Sequence, residues 1–453
     1  MEKTKRFCPC CSFDLDLFLP DSEKLRMAGE TYHDENGGDF PLLASLPNIV
    51  ETFNQLMSSS RSKENEVHKN QRSLPVVIVD THGHAQLDRE RNETYHLQVS
   101  MKHNNTDSEE ENNEFRSRNQ NFHVKSLACS VEPANFNGTL KYAATSDSIL
   151  PALGVHPWYI ENLPNFSSMI STNGNDNHGD EPNNIDNFDA VDSEWLLPME
   201  KLLLAHPKCL VGEIGLCKIA KWVRTYPDGK ARAMDIQKRI FKKQMILAAK
   251  LRRPVSVHCV NSHGIFVAAI KELVEKEEKE REQIRVTPNE NSKCSGSRRF
   301  LVPPAIAMHS FTGTAHHVRE LLDLELQIDF PNSMSRNMKK KIKKKKMKSK
   351  EEENGDAEVA STPPSPLFYF GFSHTVNYAM CTSEKSLKKG KEAVQAVPLI
   401  RLLVESDVHS DADVAGGTIG AISYVSWARD IHPIEIASTT AKNGSTFLGS
   451  IGS

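Results

Sequence analysis

The stretch Val76-Val77-Ile78-Val79-Asp80-Thr81-His82-Gly83-His84 decides how this chain is read. Val76 to Val79 are β-branched throughout and follow Pro75, which predicts a strand buried on both faces, as in parallel sheets. His82 and His84 are two residues apart, so at strand spacing both rings leave the strand's end on the same side. Neutral imidazole is the commonest side-chain ligand of catalytic transition metals. The pair reads as half of a metal site, with two exposed loop histidines as the alternative.

Working outward, short apolar runs recur at Phe122 to Val131, Ile149 to Val155, Cys209 to Leu216, Pro254 to Val260, Ala305 to Phe311, Phe368 to Ser373 and Arg401 to Asp407. Helical periodicity lies between several of them. Over Met234 to Leu251, the residues Ile236, Ile240, Phe241, Met245, Ala248 and Leu251 share one face, and Pro254 ends the segment. His263 to Lys276, Ala315 to Leu324 and Ile434 to Lys442 also predict helices. Counting the first run, this makes eight candidate strands with helices between them, which predicts an α/β fold, a TIM-type (β/α)8 barrel.

The barrel is assigned to residues 74–453, behind a partly disordered N-terminal extension over 1–73 in which Leu46 to Met57 has helical character. Four polar stretches, near 89–120, 172–192, 275–299 and 333–366, lack the apolar residues to pack and read as disordered surface insertions. The last contains the run Lys339 to Lys350. It reads as a solvated loop, with a nuclear-localisation signal or a nucleic-acid contact as the alternative.

With 453 residues and a formal net charge of −3, the chain has no global basic field. It has no apolar run long enough to span a bilayer, so no membrane partner is expected. The N-terminus lacks the apolar core of a secretory signal. Nine cysteines show no paired framework, as expected of reduced thiols in cytoplasm or nucleus. Cys8, Cys10 and Cys11 cluster without the further ligands of a zinc site.

The chemistry lies at the strand ends. Asp80, His82 and His84 close the first strand, His156 the third, and Glu405 and Asp407 the eighth; Glu213, His258 and His309 lie in the fourth, fifth and sixth. In a β/α barrel such residues converge on one mouth. A charged residue inside an apolar strand, such as Glu213 between Val211 and Ile214, is costly unless paired or metal-bound. Mixed imidazole and carboxylate donors suit zinc, manganese, iron or, less well, magnesium. The donors exceed what one tetrahedral ion needs, so two divalent ions with a bridging carboxylate are expected. Such ions, about 3.5–4 Å apart, activate water for phosphoryl displacement. The reaction class is metal-assisted hydrolysis.

The series Asp80-Thr81-His82-Gly83-His84, Gly154-Val155-His156-Pro157, Gly212-Glu213-Ile214-Gly215-Leu216, Pro254-Val255-Ser256-Val257-His258, His309-Ser310-Phe311-Thr312-Gly313 and Glu405-Ser406-Asp407 resembles the TatD family of metal-dependent deoxyribonucleases; His156-Pro157-Trp158, Arg253 to Val260, Phe370-Gly371-Phe372-Ser373 and Val404 to His409 look most like its fungal branch. The resemblance runs from about Pro75 to Gly449. It implies that His82, His84, Glu213 and Asp407 hold one metal (Mg, Mn or Zn). Glu213 would bridge to a second, held by His258 and His309. Asp407 would be the general base, and His156 would contact the substrate phosphate or transfer a proton. The implied activity is hydrolysis of DNA phosphodiester bonds, in some members from the 3′ end. Two positions depart from the family pattern: Cys217 stands where the bacterial pattern has aspartate, and Val260 where an arginine is frequent. An amidohydrolase-like enzyme acting on a small molecule is the rival catalytic reading, since the barrel hosts many chemistries. A catalytically weak barrel that binds protein partners through its insertions is the other. Lys218, Lys221 and Arg224, after the fourth strand, are either phosphate contacts or a solvated loop.

Overall fold

The computed structural model describes residues 76–87, 122–164, 166, 186–285, 302–329, 365–381 and 383–452, with short pieces at 31–33, 39–41 and 53. The Cys8–Cys11 cluster, the Lys339–Lys350 run and most of the predicted extension and insertions lie outside these residues.

Eight parallel strands follow one another around a single sheet in chain order. They are β1 (Val76–Gly83), β2 (Phe122–Cys129), β3 (Ile149–Leu153), β4 (Leu210–Cys217), β5 (Val255–Val260), β6 (Ile306–Met308), β7 (Phe368–Ser373) and β8 (Leu402–Glu405). Hydrogen bonds close the seam between the first and last strands. Asp407 N–H donates to His82 O (3.0 Å), His84 N–H to Val408 O (2.9 Å) and Thr81 Oγ1 to Val404 O (3.0 Å). The fold is the expected TIM-type barrel.

Strand residues alternate between two apolar layers, as a period of two requires. Ile78, Leu153, Val211, Val257, Phe370 and Val404 join the helices in the larger cluster. Val79, Leu127, Ala152, Leu210, Ala307 and Leu403 form a second cluster that fills the barrel. The helices between strands are α1 (Phe136–Ala143), α2 (Asp186–Ala205), α3 (Lys221–Thr225), α4 (Gly229–Lys250), α5 (His263–Arg285), α6 (Ala315–Asp329) and α7 (Glu384–Ala396). After β8 come α8 (Val414–Arg429) and α9 (Pro433–Leu448). Helix α2 starts at Asp186 and α5 continues to Arg285, so both reach into stretches whose polar composition reads as insertion. In α5 the added stretch is rich in Glu and Lys, which have good helix propensity, and a helix already nucleated on the barrel carries it outward.

Two strands carry a local irregularity. In β1 the register with β2 slips between Asp80 and Gly83; in β4 the register with β5 slips between Val211 and Ile214. Each leaves one extra residue on its strand, as a β-bulge does. His82 sits in the first bulge and Glu213 in the second.

Helix α4 fixes the loops around these strands from outside. Its buried face carries two glutamines among the apolar residues. Gln244 accepts from Val155 N (2.8 Å) and donates to Val155 O (3.1 Å). Gln237 accepts from Cys217 N (2.7 Å) and donates to Pro157 O (3.2 Å). Both satisfy backbone groups that strand pairing leaves open next to His156 and beyond Glu213.

Candidate metal centre

Glu213 is the hub of the barrel mouth. It is 2% exposed and its two carboxylate oxygens face different histidines. Oε2 stands 3.3 Å from His82 Nε2 and 3.0 Å from His84 Nε2. Oε1 stands 3.2 Å from His156 Nε2, 3.0 Å from His258 Nδ1 and 3.6 Å from His309 Nε2. His309 stacks on His82 with ring centroids 3.6 Å apart, and its Nε2 lies 3.7 Å from Asp407 Oδ2. All six residues named as metal ligands from the resemblance therefore meet at one place, and His156 joins them.

Their grouping differs from that expectation. Three sets offer ligand atoms within 4.8 Å of one another: His82, His84 and Glu213; His156, Glu213 and His258; and His82, His309 and Asp407. His156 takes the position beside His258, and His309 leans toward Asp407. The reason lies in strand order: β3 and β5 flank β4, so their histidines reach Oε1 from either side.

The donor set fits divalent ions. His84 Nδ1 lies 2.8 Å from Cys129 O, which only accepts, so this nitrogen carries a proton. In the neutral ring Nε2 then presents a lone pair toward Glu213 Oε2 and toward His82 Nε2, 3.2 Å away. A lone pair facing a carboxylate is unfavourable without a cation between them. Donor atoms that share an ion at about 2.1 Å stand about 3.0–3.4 Å apart in tetrahedral or octahedral geometry; the separations of His82, His84, His156 and His258 from Glu213 match, and those of His309 are longer.

Outer residues orient the ligands, as metal sites require. His82 Nδ1 is 2.7 Å from Ser256 Oγ. His309 Nδ1 is 2.9 Å from Glu405 Oε1, and the same carboxylate accepts from Ser310 N–H. Ser310 Oγ donates to Asp407 Oδ2 (2.9 Å). His409 meets His84 edge to face at 5.3 Å. Asp80 does not join the cluster. It accepts from Ser406 N (2.8 Å), Ser406 Oγ (2.7 Å) and His82 N (3.2 Å), and so ties β1 to the end of β8. Burial pushes its carboxyl up to about 7.

Ser256, Ser310 and His409 were not legible as site residues. Serine is common everywhere, and only the pairing of strands brings these beside the ligands. Cys217, at the departure from the family pattern, accepts from Trp158 Nε1 (3.1 Å). Burial would raise its thiol, but hydrogen bonds with His258 and Trp158 leave it lowered.

Burial and charge set the protonation of the cluster. Burial would raise Glu213, but His156, His309 and His82 hold it well below the usual range. Burial would likewise raise Asp407, and His309, His82 and His84 keep it low. Burial works against charge on His309 and His258. Asp407, Glu405 and Glu213 nevertheless lift His309 to about 10, and Cys217 and Glu213 lift His258 to about 9. Burial pushes His156 down to about 4. Lys221 and Arg224 lie exposed on α3, while Lys218 is half-buried.

A family model described as TatD related DNase matches residues 79–354. The chain belongs to that family. The match runs from within β1 through β6 and ends before β7 and β8, at whose end Glu405 and Asp407 stand. Among curated relatives of this TatD-family hydrolase, Cut9-interacting protein scn1 of Schizosaccharomyces pombe is 25% identical over 215 residues, spanning 41% of this chain and 63% of that protein. The chain thus spans less than two thirds of that relative's length. The TatD homologue YJJV of Escherichia coli has a TM-score of 0.46 at 16% identity, covering 82% of this chain and 97% of that one. An uncharacterized amidohydrolase from Saccharomyces cerevisiae has a TM-score of 0.47 at 14% identity, covering 82% and 100%. Among the described residues no helix is long and apolar enough to cross a membrane.

Proposed function

We propose that this protein hydrolyses phosphodiester bonds of DNA with divalent ions that Glu213, Asp407 and the surrounding histidines would hold. The observation that carries the reading is the division of the Glu213 carboxylate: one oxygen faces His82 and His84, the other His156 and His258. His82 and His84 would hold one ion with Asp407; His156 and His258 would hold the other. His309, between Glu213 and Asp407, would serve either. The ions would supply Lewis acidity and an activated water at neutral pH.

The chain's own groups divide the remaining work. Asp407 is the most open carboxylate of the centre, its side chain 13% exposed against 3% for Glu213. It is also ionised, so it can accept the proton of an attacking water, and we assign it the general base. Its backbone has φ 52°, a left-handed conformation costly for a non-glycine residue and typical of functional sites. Ser310 Oγ fixes the carboxylate, leaving Oδ1 for the proton. Lys221 and Arg224 on α3 offer phosphate contacts at the strand's entry. Free, buried Cys129, Cys209, Cys217 and Cys259 suit a reducing compartment, cytoplasm or nucleus.

The test is nucleotide release from a single-stranded DNA oligomer with added magnesium, manganese or zinc, with a chelator control and Asp407→Asn beside the wild type. Metal-dependent release that falls by about a hundredfold or more in the variant is expected. A second reading, a barrel that binds a protein partner, is favoured by the name of the scn1 relative, which records an interaction with Cut9. No release by folded, metal-loaded wild type would move the weight to that reading, or to a small-molecule hydrolase.

A further inference from the structure

A cleft of about 540 Å³ opens beyond the ends of β5, β6 and β7, on the same end of the barrel as the metal centre. Its volume lies within the range of ligand pockets, about 300–1,000 Å³. It is lined by the first turns of two long helices, α5 through His263 and Gly264, and α6 through Thr314 and His317. Helix N-termini present N–H groups and a partial positive charge to anions. Lys389 of α7 stands at its exposed rim, and no carboxylate is among its described lining residues. The metal centre, by contrast, is crowded with carboxylates.

The side chains inside the cleft are poised as donors. His317 Nδ1 accepts from Thr314 N (3.1 Å), so in the neutral ring Nε2 carries the proton. His263 stacks on His317 with centroids 4.4 Å apart and planes within 8°. His263 is 8% exposed, and its Nε2 has no partner among the described residues. That nitrogen faces Gly313 on the cleft wall. A Cβ on Gly313 would come within 2.9 Å of it and collide with the Phe311 ring, so glycine here lets both rings pack against the cleft wall.

The wall of the cleft is tied to the reacting centre. Asn377 donates to Phe311 O (3.0 Å) and accepts from Ser373 N (2.8 Å). Ser373 Oγ is 2.7 Å from Ser310 Oγ, which donates to Asp407. An anion in the cleft is therefore held by the same framework that holds Asp407.

We propose that this cleft is an anion subsite for a second phosphate of the substrate strand, away from the bond being cut, held by the α5 and α6 N-termini, His263, His317 and Lys389. The inference rests on the reading of the substrate as a nucleic-acid strand. It predicts a preference for oligomers over isolated phosphodiesters, because a remote phosphate contributes binding that a small diester cannot.

The test uses the metal-loaded full-length protein and two variants, His317→Ala and Lys389→Ala, on a single-stranded DNA oligomer and on bis(p-nitrophenyl) phosphate, which has no second phosphate. Each variant is expected to raise KM for the oligomer by about tenfold, the loss of one charge-assisted contact. Hydrolysis of the small diester should stay unchanged. Lys389→Ala should also lower the slope of log KM against log salt by about 0.7, one phosphate contact on a single strand. Unchanged oligomer KM and slope, or equal losses on both substrates, overturns the subsite. A wild type that cleaves the small diester and not DNA removes the strand reading instead. Calorimetric titration with inorganic phosphate then decides the cleft: weaker binding in both variants keeps it as an anion site, and equal binding in all three proteins overturns it.

Discussion

Glu213 shows how much one residue decides. A carboxylate buried at the middle of an apolar strand is tolerated because five imidazoles face it. The histidines around it are not equivalent. In the metal-free protein His258 and His309, raised to about 9 and 10, are protonated at pH 7.5, whereas His156, near 4, is neutral. A metal takes only the neutral ring. Metal uptake at pH 7.5 should therefore release protons, and affinity should rise as pH increases from about 7 toward 9. Calorimetry in buffers of different ionisation enthalpy reads the proton number; zero release would show that neither ring is a ligand. The sign for stability is the opposite. Both pKa values lie above the unfolded value of 6.5, so their contribution to the metal-free fold is complete below about pH 6.5. It is lost as pH rises through about 9 and 10. That His82, His84, Glu213, His258, His309 and Asp407 gather at one place was legible in the sequence; that they hold ions is the proposal. The partition between ions was not legible: spacing along the chain says nothing of which oxygen of Glu213 a ring approaches.

At the scale of elements, the bulges in β1 and β4 matter most. Each inserts a residue where a ligand sits, so His82 and Glu213 are turned out of the regular alternation. Close strand packing then holds them. Gly215 of β4 pairs with His258 of β5, and a Cβ on Gly215 would run into the His258 carbonyl. Gly215→Ala is expected to push β5 away, cost about 1–3 kcal/mol of stability by overpacking, and displace His258. Metal content by elemental analysis should drop from the proposed two ions per chain toward one; full content with an unshifted denaturation midpoint would contradict this. Among the helices, α4 was readable from its apolar period, but Gln237 and Gln244 on its buried face were not. They look solvent-facing until the loops after β3 and β4 are placed against them. Helix α8 was missed for the converse reason. It is buried on nearly every side, so it lacks the polar stripe by which an amphipathic helix is recognised.

For the whole molecule, the centre joins strands from around the entire barrel, β1 to β8, and the seam itself runs through it: His82 O and His84 N bond to Asp407 and Val408. Ions bound there would link the first and last strands and stabilise only the closed fold. Adding manganese or zinc at about a hundred times its Kd should raise unfolding free energy by about 2.7 kcal/mol, seen as a Tm increase that a chelator reverses. An unchanged Tm would mean that the folded centre holds no ion. The eight-strand succession and the chemistry of the donors were determined by the sequence alone, because apolar runs bounded by polar strand ends are local patterns. Tertiary structure alone decided the rest. Whether His156 or His309 stands beside His258, which serines orient the ligands, and where a cleft opens among helix N-termini all depend on strand order, bulge and twist. These bring together residues as distant in the chain as Asp80 and Ser406, 326 positions apart, and no local pattern encodes such a distance.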